Sequence, residues 1–355
     1  MGQEPPPRGA AEVTATDWRE KRREGFDLFY RFHCETNDCS PDLAVERWMA
    51  DQGGFGFEKR CVMALFHGAT YAGPCESMFA DRFPRLTADV SGLVAFFNRE
   101  KRRLLFSPDC KYRKMVFPQF LESVGQSVAA YGTLGKFITD CFGSSDPKVN
   151  YLRLKSQCQS VWYHWGRMGH WCFSEALKRL VDAPIEAADM EFKDGASHRA
   201  GWAFCIGRDD LTGDRVSAAD LRMLERTADE YLRGLDFPRA DRFTLETACC
   251  NYKRQHRGSR YGGCYIDEQY AETVQMMTDW PEYAWLWDQY LVGRQAVLPR
   301  SLLFELSGAK GPAYRKDWNR SMQKYGRMPR VEAWASGEKQ RWCQLEEICG
   351  RKADQ

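Results

Sequence analysis

Apolar residues recur three and four positions apart along most of this chain, the spacing that puts them on one face of a helix. Phe26, Phe29, Tyr30 and Phe32 form such a face within Trp18–Phe32, a helix expected to open near Asp17. Pro41 follows Ser40, a helix start, with helix predicted through Met49 until Gly53, Gly54 and Gly56 break it. The same reading predicts helices over Phe57–His67 (stopped by Gly68), Cys75–Phe83, Val90–Arg103 and Phe117–Ser127, punctuated by Pro84, Pro108 and Pro118. Val149–Leu180 reads as one or two helices broken at Gly166 or Gly169. Ala218–Leu232 is a clear amphipathic helix with Leu221, Met223, Leu224 and Tyr231 inward. Trp280–Val292 and Arg315–Tyr325 complete the set. Strand signals are weak: Ala203–Ile206 could be one but lacks a partner at hairpin spacing.

The expected fold is therefore mainly α, a compact multi-helix domain with few or no short strands. Residues 1–16, with Pro5, Pro6 and Pro7, read as a disordered tail. Residues 17–330 form the helical domain, and 331–355 a helical C-terminal extension. The 355 residues, 43% of them hydrophobic, suffice for a sizeable core. The net charge of +2 means that any nucleic acid must be met by a local basic surface. Fourteen cysteines are scattered without a C-x-x-C pair, so reduced thiols in the cytoplasm are expected. No apolar run reaches the ~18 residues of a membrane span.

The segment Thr244–Gln269 concentrates the candidate chemistry. It holds Glu246, Cys249 and Cys250, then Lys253, Arg254, His256, Arg257 and Arg260, then Tyr261, Gly262, Gly263, Tyr265, Asp267 and Glu268. Positive charge answers phosphate, Tyr rings can stack on bases, and glycines allow close backbone approach. A nucleic-acid or pyrophosphate site and a basic surface loop are both consistent with it. Further blocks carry candidate contacts. Thr70 and Tyr71 lie in HGATYAGP, where a capped turn is the plainer reading. Asp109, Lys111 and Arg113 alternate in a charged loop. Arg167 sits between Gly166 and Gly169 after an aromatic run. Arg199, Arg208 and Asp209 flank Gly201 and Gly207. There is no P-loop, no G-x-G-x-x-G after a strand, no G-x-S-x-G and no structural-zinc spacing.

The order acidic residue, CNYK, Arg/His-rich stretch, RY and Y-x-D resembles the amino acid:DNA transferases of bacterial viruses. These are the alpha-glutamyl/putrescinyl thymine pyrophosphorylases, related to the helical domain of the 5-hydroxymethyluracil DNA kinases. The residues that carry the resemblance are Glu246, Cys250, Asn251, Tyr252, Lys253, Arg260, Tyr261, Tyr265 and Asp267. Ala69 stands where the family's Gly-x-Thr-Tyr block has Asn. The resemblance spans about Trp18 to Arg330 and implies a DNA glycosylase-like helical domain. It implies that an amine, from an amino acid or a polyamine such as putrescine, displaces pyrophosphate from 5-(pyrophosphooxymethyl)uracil in viral DNA. Lys253, Arg254, Arg260, Arg167, Arg199, Arg208, Asp209 and the loop cations would then hold DNA or pyrophosphate. Glu246 or Asp267 would be the base, with Asp267 preferred, and Cys250 a nucleophile or a buried thiol. No cofactor or metal site is expected, with Mg²⁺ left open. The alternatives are a non-catalytic helical DNA-binding protein and a glycosylase-like base-flipping enzyme.

Overall fold

The structure, a computed structural model, describes residues 16–86, 90–107, 110, 113–213, 215–303 and 311–337. Among them are sixteen α-helices and no strand. In chain order they are α1 Arg22–Glu35, α2 Pro41–Gln52, α3 Phe57–Thr70, α4 Gly73–Arg82, α5 Val90–Glu100, α6 Arg113–Ala129, α7 Leu134–Thr139 and α8 Pro147–Val161. They continue with α9 Arg167–Val181, α10 Ala196–Cys205, α11 Ala218–Arg233, α12 Arg242–His256, α13 Cys264–Asp279, α14 Ala284–Val297, α15 Gly311–Tyr325 and α16 Pro329–Ala335.

Two apolar clusters organise these helices. One gathers α2 to α9 with the second half of α13 and α14, around Phe66, Phe79, Phe117, Trp162 and Trp287. The other gathers α1, α10, α11, α12, α15 and α16, around Phe26, Tyr30, Trp202 and Tyr252. Helices α12 and α13 belong to both: Phe243 and Met276 pack in the first, Leu245 and Ile266 in the second. They therefore straddle the seam between the clusters.

Helix α3 crosses α9 closely at Gly68. A Cβ there would lie 2.7 Å from the Gly169 carbonyl oxygen and 2.8 Å from both Phe173 Cβ and the Trp165 ring. Backbone cannot yield as a side chain can, so Gly68→Ala is expected to cost about 1–3 kcal/mol. An unchanged melting temperature would show that the crossing adjusts.

Several expectations shift. Helix α1 begins at Arg22, not near Asp17, whose carboxylate instead accepts from the Arg19 backbone and guanidinium. The stretch 149–180 divides at 162–166, giving α8 and α9. Ala203–Ile206 is the end of α10 and the turn after it, not a strand. The basic segment 244–269 is two helices rather than a loop, with Gly263 (φ +86°) at the start of α13. Twelve cysteines are free thiols; residues 343 and 349 lie outside the described residues. The N-terminal tail and residues 338–355 also lie outside them, as do Asp109 and Lys111. Arg113 opens α6. Among the described residues no helix is long and apolar enough to cross a membrane.

Candidate active site

A cavity of about 750 Å³ opens at the seam. It is lined from the starts of α2, α9 and α10, the end of α3, and one face each of α12 and α13. Helical periodicity selects that face. On α12 it presents Glu246, Thr247, Cys250 and Arg254; on α13 it presents Tyr265, Glu268, Gln269 and Glu272. The three helix starts bring positive backbone ends to the wall, and none of Ser40, Gly166 and Gly195 caps its helix through its own side chain.

One wall is basic. Arg167 lies between two carboxylates, with Nε 3.0 Å from Glu191 and Nη1 3.4 Å from Glu246. Glu246 also lies 3.3 Å from Nδ1 of His198. Burial, aided by Arg167, pushes the His198 pKa down to about 3, so the ring is neutral. Its Nε2 lies 2.7 Å from the Met190 carbonyl. Arg260 pairs with Glu268 and lies 5.0 Å from the Tyr265 ring centre. Arg254, half-buried in the cavity wall, has no ion pair among the described residues. That leaves its charge available to an anion.

The same cavity also carries carboxylates. Asp42, on the first turn of α2, accepts from the Tyr290 hydroxyl at 2.5 Å. Burial, then the Glu76 carboxylate, raises its pKa. Glu272 is half-buried and has no ion pair among the described residues. Burial pushes its pKa well above the usual carboxylate range, and the charges of Asp42, Glu268 and Glu76 push the same way. His67 and Tyr71 reach this cavity from the end of α3, Tyr71 in the left-handed conformation (φ +50°) that ends the helix. The half-buried rings of Tyr71 and Tyr265 offer flat surfaces to a planar ligand.

Of the sequence-predicted residues, Glu246, Cys250, Arg254, Arg260, Tyr265, Arg167 and Tyr71 meet here. Cys250 contacts the Ser197 hydroxyl at 3.4 Å. Burial, then Glu246, pushes its thiol up to about 12, which keeps it protonated at neutral pH and disfavours the nucleophile role. Others point elsewhere. Lys253 is buried and donates to the Ser197 carbonyl at 2.9 Å. Asn251 contacts Cys264, and Tyr252 donates to the Arg22 carbonyl. Thr70 is buried and donates to the Phe66 carbonyl at 3.0 Å. Arg199 is buried and binds the carbonyls of Phe192 and Gly213. Arg208 pairs with Asp210, and Asp209 with Arg22.

Asp267 is displaced most from its expected place. It is buried away from the cavity lining, 2.8 Å from Arg330 and 2.6 Å from the Tyr261 hydroxyl. The expectation preferred Asp267 as the base, with Tyr265 and Ile266 beside it to exclude water. On a helix, two positions are about 200° apart, and Asp267 turns inward. Asp267→Asn is therefore expected to destabilise the fold by about 3–5 kcal/mol through the broken buried pair. Transfer per folded molecule should persist in a single-turnover assay. A full melting temperature with no transfer would return Asp267 to the chemistry. The sequence reading missed Asp42, His67 and Glu272. The Glu268–Glu272 spacing of four, once α13 is known to be a helix, is the signal that could have found Glu272.

Among the described residues the chain is helical, and one cavity gathers the cations Arg167, Arg254 and Arg260 with the carboxylates Asp42, Glu246, Glu268 and Glu272. Residues 32–261 match the family described as "Amino acid:DNA transferase". The chain belongs to this family. It is also similar to the "Serinyltransferase" of Salmonella phage ViI, 25% identical over 306 residues, covering 78% of this chain and 69% of that protein.

Proposed function

We propose that this chain transfers an amine to 5-(pyrophosphooxymethyl)uracil in DNA, with release of pyrophosphate. The observation that carries the reading is the presence in one cavity of Arg254, which has no ion pair among the described residues, together with the carboxylates Glu272 and Asp42. Pyrophosphate is a good leaving group once its charge is neutralised. Arg254, Arg260, Arg167 and the helix starts supply that positive potential. The base is inaccessible in a duplex, so it enters the cavity flipped, against Tyr71 or Tyr265.

The donor enters as an ammonium, drawn to Asp42 and Glu272. Glu272 removes one proton. Its raised pKa suits it to that task better than Glu246, which is held between Arg167 and His198. The freed nitrogen attacks the exocyclic carbon, a C–N bond forms as the C–O bond breaks, and the electron pair leaves on pyrophosphate. The product is a secondary ammonium on a hypermodified thymine. The name of the Salmonella phage ViI relative makes serine the first donor to try, ahead of other amino acids and putrescine.

The test is nucleoside mass spectrometry after incubation of the protein with DNA bearing the pyrophosphorylated base and a mixture of amino acids and polyamines. A new nucleoside whose mass equals thymidine plus the donor, less two hydrogens, is expected. Unchanged DNA that still binds the protein would favour a binding module, and free base a glycosylase.

A further inference from the structure

We infer that Glu46, His67 and Glu76 form a site for a divalent metal ion of the Mn²⁺/Zn²⁺ class. This inference stands independently of the proposed transfer. The three side chains come from three different helices, α2, α3 and α4, and all are buried. Each brings one donor atom, and the three atoms lie within 4.8 Å of one another.

The outer contacts fix which oxygens remain. Glu46 Oε1 accepts from the Ser77 hydroxyl at 2.9 Å. Glu76 Oε1 accepts from the Ala72 amide at 2.7 Å, with the Thr70 hydroxyl 3.5 Å away. That leaves both Oε2 atoms for the centre. Glu76 Oε2 lies 2.9 Å from His67 Nδ1, while Glu46 Oε2 has no hydrogen-bond partner although the residue is completely buried. Outer-shell donors that hold one carboxylate oxygen and aim the other inward are the support a metal ligand needs. A buried acceptor without a donor, facing a second carboxylate, calls for a cation between them.

The donor set chooses the ion. Two carboxylates and an imidazole, with no thiolate, suit Mn²⁺, Fe²⁺ or Zn²⁺ better than the all-oxygen coordination of Mg²⁺ or Ca²⁺. His67 also lines the cavity, so the ion would sit at its wall. It would balance Glu46 and Glu76 and leave Asp42 and Glu268 as the carboxylates that crowd Glu272. The sequence offers no hint of this set, because the ligands are 21 and 9 residues apart on separate helices.

The experiment uses the full chain, stripped with a chelator and titrated with Mn²⁺ and, separately, Zn²⁺ at neutral pH. Isothermal calorimetry and elemental analysis after desalting give the stoichiometry. One ion per chain is expected, with a higher melting temperature on binding. Glu46→Gln, close in shape, and His67→Ala should each weaken binding at least about tenfold, the loss that even an outer-shell change produces. Absence of stoichiometric binding by the wild type, with Glu46→Gln keeping the wild-type melting temperature, would show that Glu46 and Glu76 share a proton instead. Binding that both substitutions leave intact would place the ion elsewhere and equally overturn the assignment.

Discussion

Glu272→Gln is expected to lower single-turnover amine transfer by about 10²–10⁴, the range for loss of a positioned base, while DNA affinity stays within a few-fold. Glutamine keeps the shape and polarity of the side chain but cannot take a proton from the donor ammonium. The neighbours sharpen the expectation. Asp42 is already engaged by Tyr290, and Glu268 by Arg260, which leaves Glu272 as the carboxylate of this cavity without such a partner among the described residues. Raising the pH tests the same point, since a donor that is already deprotonated needs no base. The defect of Glu272→Gln should narrow as pH approaches the donor's own pKa. A constant defect across pH would make Glu272 a binding group rather than a base.

Arg167→Met is expected to reduce both stability and substrate binding. The guanidinium lies between Glu191 and Glu246, and its side chain is only 17% exposed. Burial disfavours its charge, but Glu246 and Glu191 outweigh that and raise its pKa, so it stays charged. Methionine fills the volume but leaves the two carboxylates without their shared cation. The cost should be about 3 kcal/mol, at the low end for breaking a buried pair because Lys155 still faces Glu191. The melting temperature should fall, and the affinity for DNA bearing the pyrophosphorylated base should fall more than that for plain DNA. A variant with wild-type stability and equal losses on both DNAs would reduce Arg167 to a generic phosphate contact.

Much of the fold was legible because most helices have one apolar face and one wet face. Ala218–Leu232 is the clearest case: of its expected inward residues Leu224 and Tyr231 are buried, and Leu221 and Met223 pack half-buried against the same cluster. Helices α12 and α13 were harder to read. They bury Thr, Asn, Gln, Lys and Asp beside Cys and Tyr, so polarity does not alternate with burial. The sequence therefore located the dense chemical segment but not its geometry. The sequence reading grouped neighbours such as Asn251, Tyr252 and Lys253, whereas the helix spreads them around its circumference, and Glu246, Thr247, Cys250 and Arg254 share the cavity face. Asp42 and His67 were passed over for a different reason. They read as an ordinary first turn and last turn, and only the packing of α2 and α3 against α13 and α9 turns them into one wall.

The most direct test of the account is the stoichiometry of pyrophosphate release. In a single turnover with DNA bearing the pyrophosphorylated base and a competent amine donor, one pyrophosphate should appear for each modified nucleoside, at the same rate, with release strongly stimulated by the donor. Release of pyrophosphate at an undiminished rate without any donor, or of orthophosphate or free base in its place, would contradict amine displacement in this cavity.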